Sequence, residues 1–298
     1  MIPSFKASFY ALLFIAAMLI SNLFLAPIFL SLPINPFLLS IISEVIVYGV
    51  PVVIFIIASK GSAFAEMSVR PLGFANIAVT AAMSFFMQPI LMLISAVSAF
   101  IFPNTTTAAL ETYSQQPFWI MALSVAVIPA IFEELIFRGI VFGNYRNVPL
   151  KKAAAATGLL FGLAHMNGQQ FLYAFFMGII FCLMVYKTGS VFSSIVSHFT
   201  INFSQSAAAY IIFKTAPAPS ADASSGIFSV LYLTVLTLPI LAVLVYVFMR
   251  INKKAPSVET ERAVDYTVSG HNENVINFPF VLYACLCVFF ILMPLFSK

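Results

Sequence analysis

The sequence predicts an all-α, polytopic transmembrane helix bundle. Three observations predict it. The chain is 62% hydrophobic and only 8% charged, with a mean hydropathy of +1.04, where soluble domains are nearer half apolar and a quarter charged. Its apolar residues fall into runs of about 20, the length that crosses a bilayer as a helix. Its basic residues gather at alternate ends of those runs. Together they exclude a soluble enzyme and a nucleic-acid-binding protein as the main class, and they make the bilayer the first partner.

The runs give nine spans, at residues 8–31, 37–58, 74–102, 118–142, 150–166, 170–186, 190–213, 226–250 and 276–296. The first follows Lys6. Its apolar part is too long for a secretory signal, and no small-residue cleavage site stands out, so it reads as a retained helix. The second carries Glu44, near its outer end. The fourth contains FEELIFRG, residues 132–139. The fifth and sixth are short, and the turn MNGQQ joins them as a hairpin that tilts or stops short; merging them, or losing the last span, leaves eight. The segments 214–225 and 251–275 read as polar loops, with His271 a solvated loop histidine. The three cysteines (Cys182, Cys285 and Cys287) lie in apolar runs and read as small hydrophobes.

Orientation follows from the basic residues. With the N-terminus cytoplasmic, Lys6, Lys60, Arg70, Arg146, Lys151, Lys152, Lys187, Arg250, Lys253, Lys254 and Arg262 fall on the cytoplasmic side, and Lys214 and Lys298 outside. The absence of any organelle signal fits a plasma membrane. Residues 118–213 form the expected central helix core, flanked by three helices over 1–117 and by further helices and a cytoplasmic loop over 214–298.

Charges inside a bilayer cost about 2.5–3.5 kcal/mol each on insertion scales, so each is a candidate for function. Counting helical rise from the cytoplasmic ends puts Glu133 at ~13 Å, His198 at ~12 Å, Asn202 at ~18 Å and His165 at ~20 Å. These groups lie on three different spans yet in one layer of the cytoplasmic half. Glu44 falls outside it. Adjacent helical residues point about 100° apart, so Glu133 and Glu134 face different ways. Glu134 and Arg138 are one turn apart and can form an ion pair. Glu133 is left without a partner on its own helix and is suited to act as a base. His198 and Asn202 share a face, as do Phe161 and His165. No serine is placed as a nucleophile, and GxSxG, GxGxxG and HExxH are absent. A base, two imidazoles and an amide suit activation of water and stabilisation of an oxyanion, the chemistry of amide or ester hydrolysis.

EELIFR at 133–138, FGLAH at 161–165 and HFTIN at 198–202 form the pattern EExxxR … FxxxH … HxxxN. In these motifs the chain resembles the CPBP (Abi, CAAX-protease and bacteriocin-processing) family of intramembrane proteases, and is similar to the Rce1-type CAAX prenyl endopeptidase. The resemblance covers roughly residues 118–213. It implies Glu133 as the base that activates water, His165 as its holder, His198 and Asn202 as oxyanion stabilisers, and Glu134 and Arg138 as organisers of the site. It also implies a peptide or membrane-protein substrate, with a lipidated or prenylated C-terminus or a bacteriocin-like leader peptide as the candidates. A metalloprotease is the alternative chemistry, with zinc held by Glu133, His165 and His198. The other classes consistent with membrane glutamates and histidines are a proton-coupled transporter and a non-catalytic membrane binding or immunity protein.

Overall fold

The computed structural model describes residues 2–25, 27–28, 31–215, 223–253 and 273–296. Most of the two segments read as polar loops, with Lys254, Arg262 and His271, lies outside them. No strand occurs among the described residues.

The helices follow the apolar runs. α1, Pro3–Ile20, continues as a π-helical turn over Ser21–Leu25. Asn35 caps α2, Pro36–Ala58, by accepting from the Phe37 amide at 2.9 Å. α3 is Phe74–Ser98 and α4 is Thr105–Ser114. α5 spans Phe118–Asn144 and alternates between α-helical and π-helical stretches, the latter at Ala122–Val127 and Leu135–Val141. α6, Leu150–Ala164, and α7, Gly168–Thr188, form a hairpin. α8 is Phe192–Thr215, α9 is Ala223–Ile251 and α10 is Phe278–Phe296.

Seven of these helices are long and apolar enough to cross a membrane: those at Pro3–Leu25, Pro36–Ala58, Phe74–Ser98, Phe118–Asn144, Gly168–Thr188, Ile227–Ile251 and Phe278–Phe296. The fifth and seventh expected spans are present as helices but are not among the seven. α6 has only 15 residues. α8 is long, but its middle reads SSIVSHFTINFSQS. These two helices carry His165, His198 and Asn202. Their polar groups are turned into the bundle, so lipid does not set their composition. α9 is the converse, with Phe228, Tyr232, Leu236, Val243 and Tyr246 all exposed, as expected where lipid is the solvent.

The α6–α7 hairpin is closed by glycine. A Cβ on Gly178 would meet the Gly158 Cα at 2.6 Å, and one on Gly162 would meet the Phe171 carbonyl at 2.8 Å. Small residues in this register let two membrane helices touch backbone to backbone. At the hairpin's tip Met166 takes a positive φ of 46°, and the Asn167 side chain accepts from the amides of Gln169 and Gln170.

Polar contacts define the two ends of the bundle. At one end Lys6 pairs with Glu66 at 3.0 Å, the Val191 amide donates to Ser68, and Asn76 and Asn252 exchange amide hydrogen bonds. Lys6, Lys60, Arg70, Arg146, Lys151, Lys152, Lys187, Arg250 and Lys253 all lie at helix ends or turns on this side. At the other end Asn35 donates to Gln116, Gln169 to Ser95, and Gln170 to Thr106. Among the described basic residues, Lys214 falls there.

Candidate active site

Glu134 and Arg138 lie at the centre of the bundle, both side chains fully buried. Arg138 Nη1 donates to Glu134 Oε1 at 2.8 Å. The same oxygen accepts from His198 Nδ1, also at 2.8 Å. The rest of the guanidinium lies over the rings of Phe161, at 4.1 Å from the centroid, and Phe181, at 5.2 Å. Those rings replace the hydrogen bonds that its remaining N–H groups lack. One carboxylate thus holds a cation from its own helix and an imidazole from α8. The ion pair agrees with the sequence reading; its grip on His198 was not legible, because it joins residues 64 apart.

His198 is fixed on both sides. Asn202 Nδ2 lies 3.1 Å from His198 Nε2, so the amide donates and Nε2 accepts, while Nδ1–H donates to Glu134. Asn202 Nδ2 also donates to the Val125 carbonyl at 2.9 Å. Pro129 explains why that carbonyl is open to an outside donor. Proline has no N–H, so Val125 loses its partner four residues on, and the π-helical stretch Ala122–Val127 accommodates the ring. Both amide hydrogens of Asn202 are therefore in use.

Glu133 points elsewhere, as the 100° rule requires. It is partly exposed and accepts a hydrogen bond from the Tyr48 hydroxyl at 3.2 Å. It lines a cavity of about 340 Å³ with His165, His198, Asn202, Tyr173 and Gln205. His165 Nδ1 lies 3.0 Å from the Phe161 carbonyl, the acceptor that fixes its proton on that nitrogen and leaves Nε2 unprotonated. The Phe161 ring stands edge-on to His165 and His198, at 5.1 and 6.0 Å between centroids. All six residues singled out in the sequence therefore meet in one region: Glu133 and His165 on the cavity, Glu134 and Arg138 behind it, His198 and Asn202 between.

Two residues were missed. Glu44 was set apart by depth, yet it lines the same cavity. Helical rise measured from uncertain ends gives height but not how far a cavity extends along the bundle. Tyr48 was not considered. It lies one turn after Glu44 on α2, and that i,i+4 spacing was the available signal.

The Glu134–His198 layer is nearer the basic end, His198 being six residues or ~9 Å from the start of α8. The cavity, however, is bordered by Thr106, Ala109, Leu110 and Tyr113 of α4 and by Asn167 and Gln170, all from the opposite end. α4 is a short helix outside the predicted spans, so its contribution to the lining could not be read from them.

The three residues expected to hold zinc, Glu133, His165 and His198, line one cavity. No three His, Cys, Asp or Glu side chains among the described residues are grouped to hold a metal. Of the three expected ligands, His198 already uses both ring nitrogens. The serines near His198 offer no nucleophile either. Ser194 donates to the Val191 carbonyl, and Ser197 to the Ser193 carbonyl and the Met184 sulfur.

This geometry coincides with the comparison to protein families. Residues 115–204 match the Rce1-like family, type II CAAX prenyl endopeptidase Rce1-like. The matched stretch begins just before α5 and ends just past Asn202, so it contains every residue of the Glu134 network. Neither the curated proteins nor the solved structures contain a match to the chain. The Rce1-like segment is set in a multi-pass helical framework, and α1, α2 and α10 pack on it from outside the matched range.

Proposed function

We propose that the chain is a membrane-embedded endopeptidase that hydrolyses a peptide bond with a water activated by Glu133. The observation that carries this is the separation of the two adjacent glutamates. Glu134 is committed to Arg138 and His198, while Glu133 faces the cavity with one hydroxyl donor, Tyr48. The Rce1-like match supports the peptidase class.

In this reading Glu133 takes a proton from water while His165 Nε2 holds the water by accepting its other hydrogen. The hydroxide attacks the carbonyl carbon, and the oxyanion forms beside His198. Donation from Nε2 requires a second proton on that imidazole, and the buried Glu134 carboxylate stabilises the resulting cation. Asn202 must then turn its amide, presenting its oxygen to Nε2–H or moving aside for substrate. Glu133 finally returns its proton to the leaving amine. Residues 118–213 form the catalytic core, and the flanking helices complete the cavity.

We further propose that the basic end is cytoplasmic, with the chain in the plasma membrane, so that a peptide or membrane-protein segment enters past α4 from the outer face. Glu133→Gln in nanodiscs is expected to lower cleavage of a peptide library about 10³-fold without changing the unfolding midpoint. Full cleavage by that variant overturns the reading.

A further inference from the structure

A second cavity, of about 330 Å³, lies between the end of α1 and the first half of α2. Its walls are mostly apolar and include Met18, Pro36, Leu39 and Val47, with the Ser21–Ser43 hydroxyl pair at 2.7 Å on one side. Glu44 lines this cavity and also the one containing Glu133, so it stands between the two, and Tyr48 lines this one beside it. Tyr48 directs its hydroxyl to Glu133, whereas Glu44 Oε2 is buried with no hydrogen-bond partner. Among the described residues, no lysine or arginine lines either cavity, and Arg138 is held behind Glu134. Ser124 and Ser206, both buried and also without partners, line the larger cavity on its far side.

A carboxylate at the inner end of an apolar slot is costly unless a donor arrives to pair with it. A lipid tail would fit the walls but leave that oxygen unpaired. A lysine or arginine side chain satisfies both parts, because its methylene stem is apolar and its head is a cationic donor. The peptide backbone would then lie in the larger cavity, where the Ser124 and Ser206 hydroxyls can meet its polar groups.

We propose that the α1–α2 slot is a specificity subsite for a basic side chain of the substrate, with Glu44 as its charge partner, next to the bond presented to Glu133. This rests on the peptidase reading above.

The test uses the full chain in nanodiscs and peptides that differ only in lysine, norleucine or glutamate at positions flanking the cleaved bond. Wild type is expected to favour lysine over norleucine in kcat/KM by about tenfold or more, and Glu44→Gln to bring that ratio close to one. Leu39→Trp, which fills the slot from another lining position on α2, is expected to produce the same loss. Unfolding midpoints show that each variant is folded. Fluorescence polarisation of the same peptides on Glu133→Gln reads binding without turnover, and is expected to keep the lysine preference and lose it when Glu44→Gln is added. Glu133-dependent cleavage with equal use of lysine and norleucine overturns the subsite alone. A preference that Glu44→Gln leaves intact also overturns it, as does a preference for acyl-tailed peptides over lysine ones. Lysine-selective binding without any cleavage overturns the peptidase reading and leaves the slot standing.

Discussion

Glu134 and Arg138 set the energetics at the residue scale. Removing one member of a fully buried pair leaves the other charge uncompensated, which typically costs about 3–5 kcal/mol. Glu134→Gln or Arg138→Met alone is therefore expected to lower the unfolding midpoint strongly, measured by heating in nanodiscs. The double variant is expected to recover much of that stability but none of the cleavage, because it lacks the Glu134 carboxylate to which His198 Nδ1 donates. Pro129 gives a sharper separation of stability from function. Pro129→Ala restores an N–H that can take the Val125 carbonyl from Asn202. Stability should hold or rise, while kcat falls roughly tenfold to a hundredfold as the Asn202–His198 contact loosens. Much of this scale was legible in the sequence. The i,i+4 spacing gave the Glu134–Arg138 and His198–Asn202 contacts, and the 100° step separated Glu133 from Glu134. The bond from Glu134 to His198 was not, because helix periodicity carries no information about pairing between helices.

Among the elements, the α6–α7 hairpin decides where His165 stands. α6 stops after 15 residues, and His165 caps it. The hairpin's position depends on backbone contact at Gly158, Gly162 and Gly178. Gly178→Ala would place a methyl group 2.6 Å from the Gly158 Cα, where no side chain can move aside. The helices must part, at a cost of about 1–3 kcal/mol, and activity should fall together with the unfolding midpoint. The sequence showed this pair as short and joined by a tight turn, which is how it is built. It did not show that α5 relaxes twice into π-helix around the glutamates. That feature depends on a neighbour: α5 needs Asn202 for the carbonyl that Pro129 leaves open. α2 was underestimated for the same reason, since Glu44 and Tyr48 gain their meaning only beside Glu133.

For the whole molecule, charge sorts the two faces. Nearly all described basic residues gather at one end, as the alternation of spans predicted, and α4, which lines the Glu133 cavity, lies at the other. Cysteines introduced at Lys60 and at Ala109 should therefore react with an impermeant thiol reagent from opposite sides of a sealed vesicle. The Lys6–Glu66 pair ties α1 to the turn after α2 at the basic face. Burial pushes the Glu66 carboxyl up, but the hydrogen bonds from Ser62 and Lys6, with the charges of Lys6 and Arg146, outweigh it and hold the group below its ordinary value. A lowered carboxyl stabilises the fold above the ordinary carboxylate range and loses that contribution as pH falls through the lowered value. Unfolding midpoints below about pH 4 should therefore drop more for wild type than for Lys6→Met. The central claim is that water, activated by Glu133, is the nucleophile. Its most direct test is a single turnover of a cleaved peptide in H₂¹⁸O, read by mass spectrometry. The account predicts one ¹⁸O in the new carboxyl group from the first turnover, and no product from Glu133→Gln. An unlabelled first product would mean that an enzyme oxygen attacks the peptide, and labelled product from Glu133→Gln would mean that another group activates the water; either result contradicts the account.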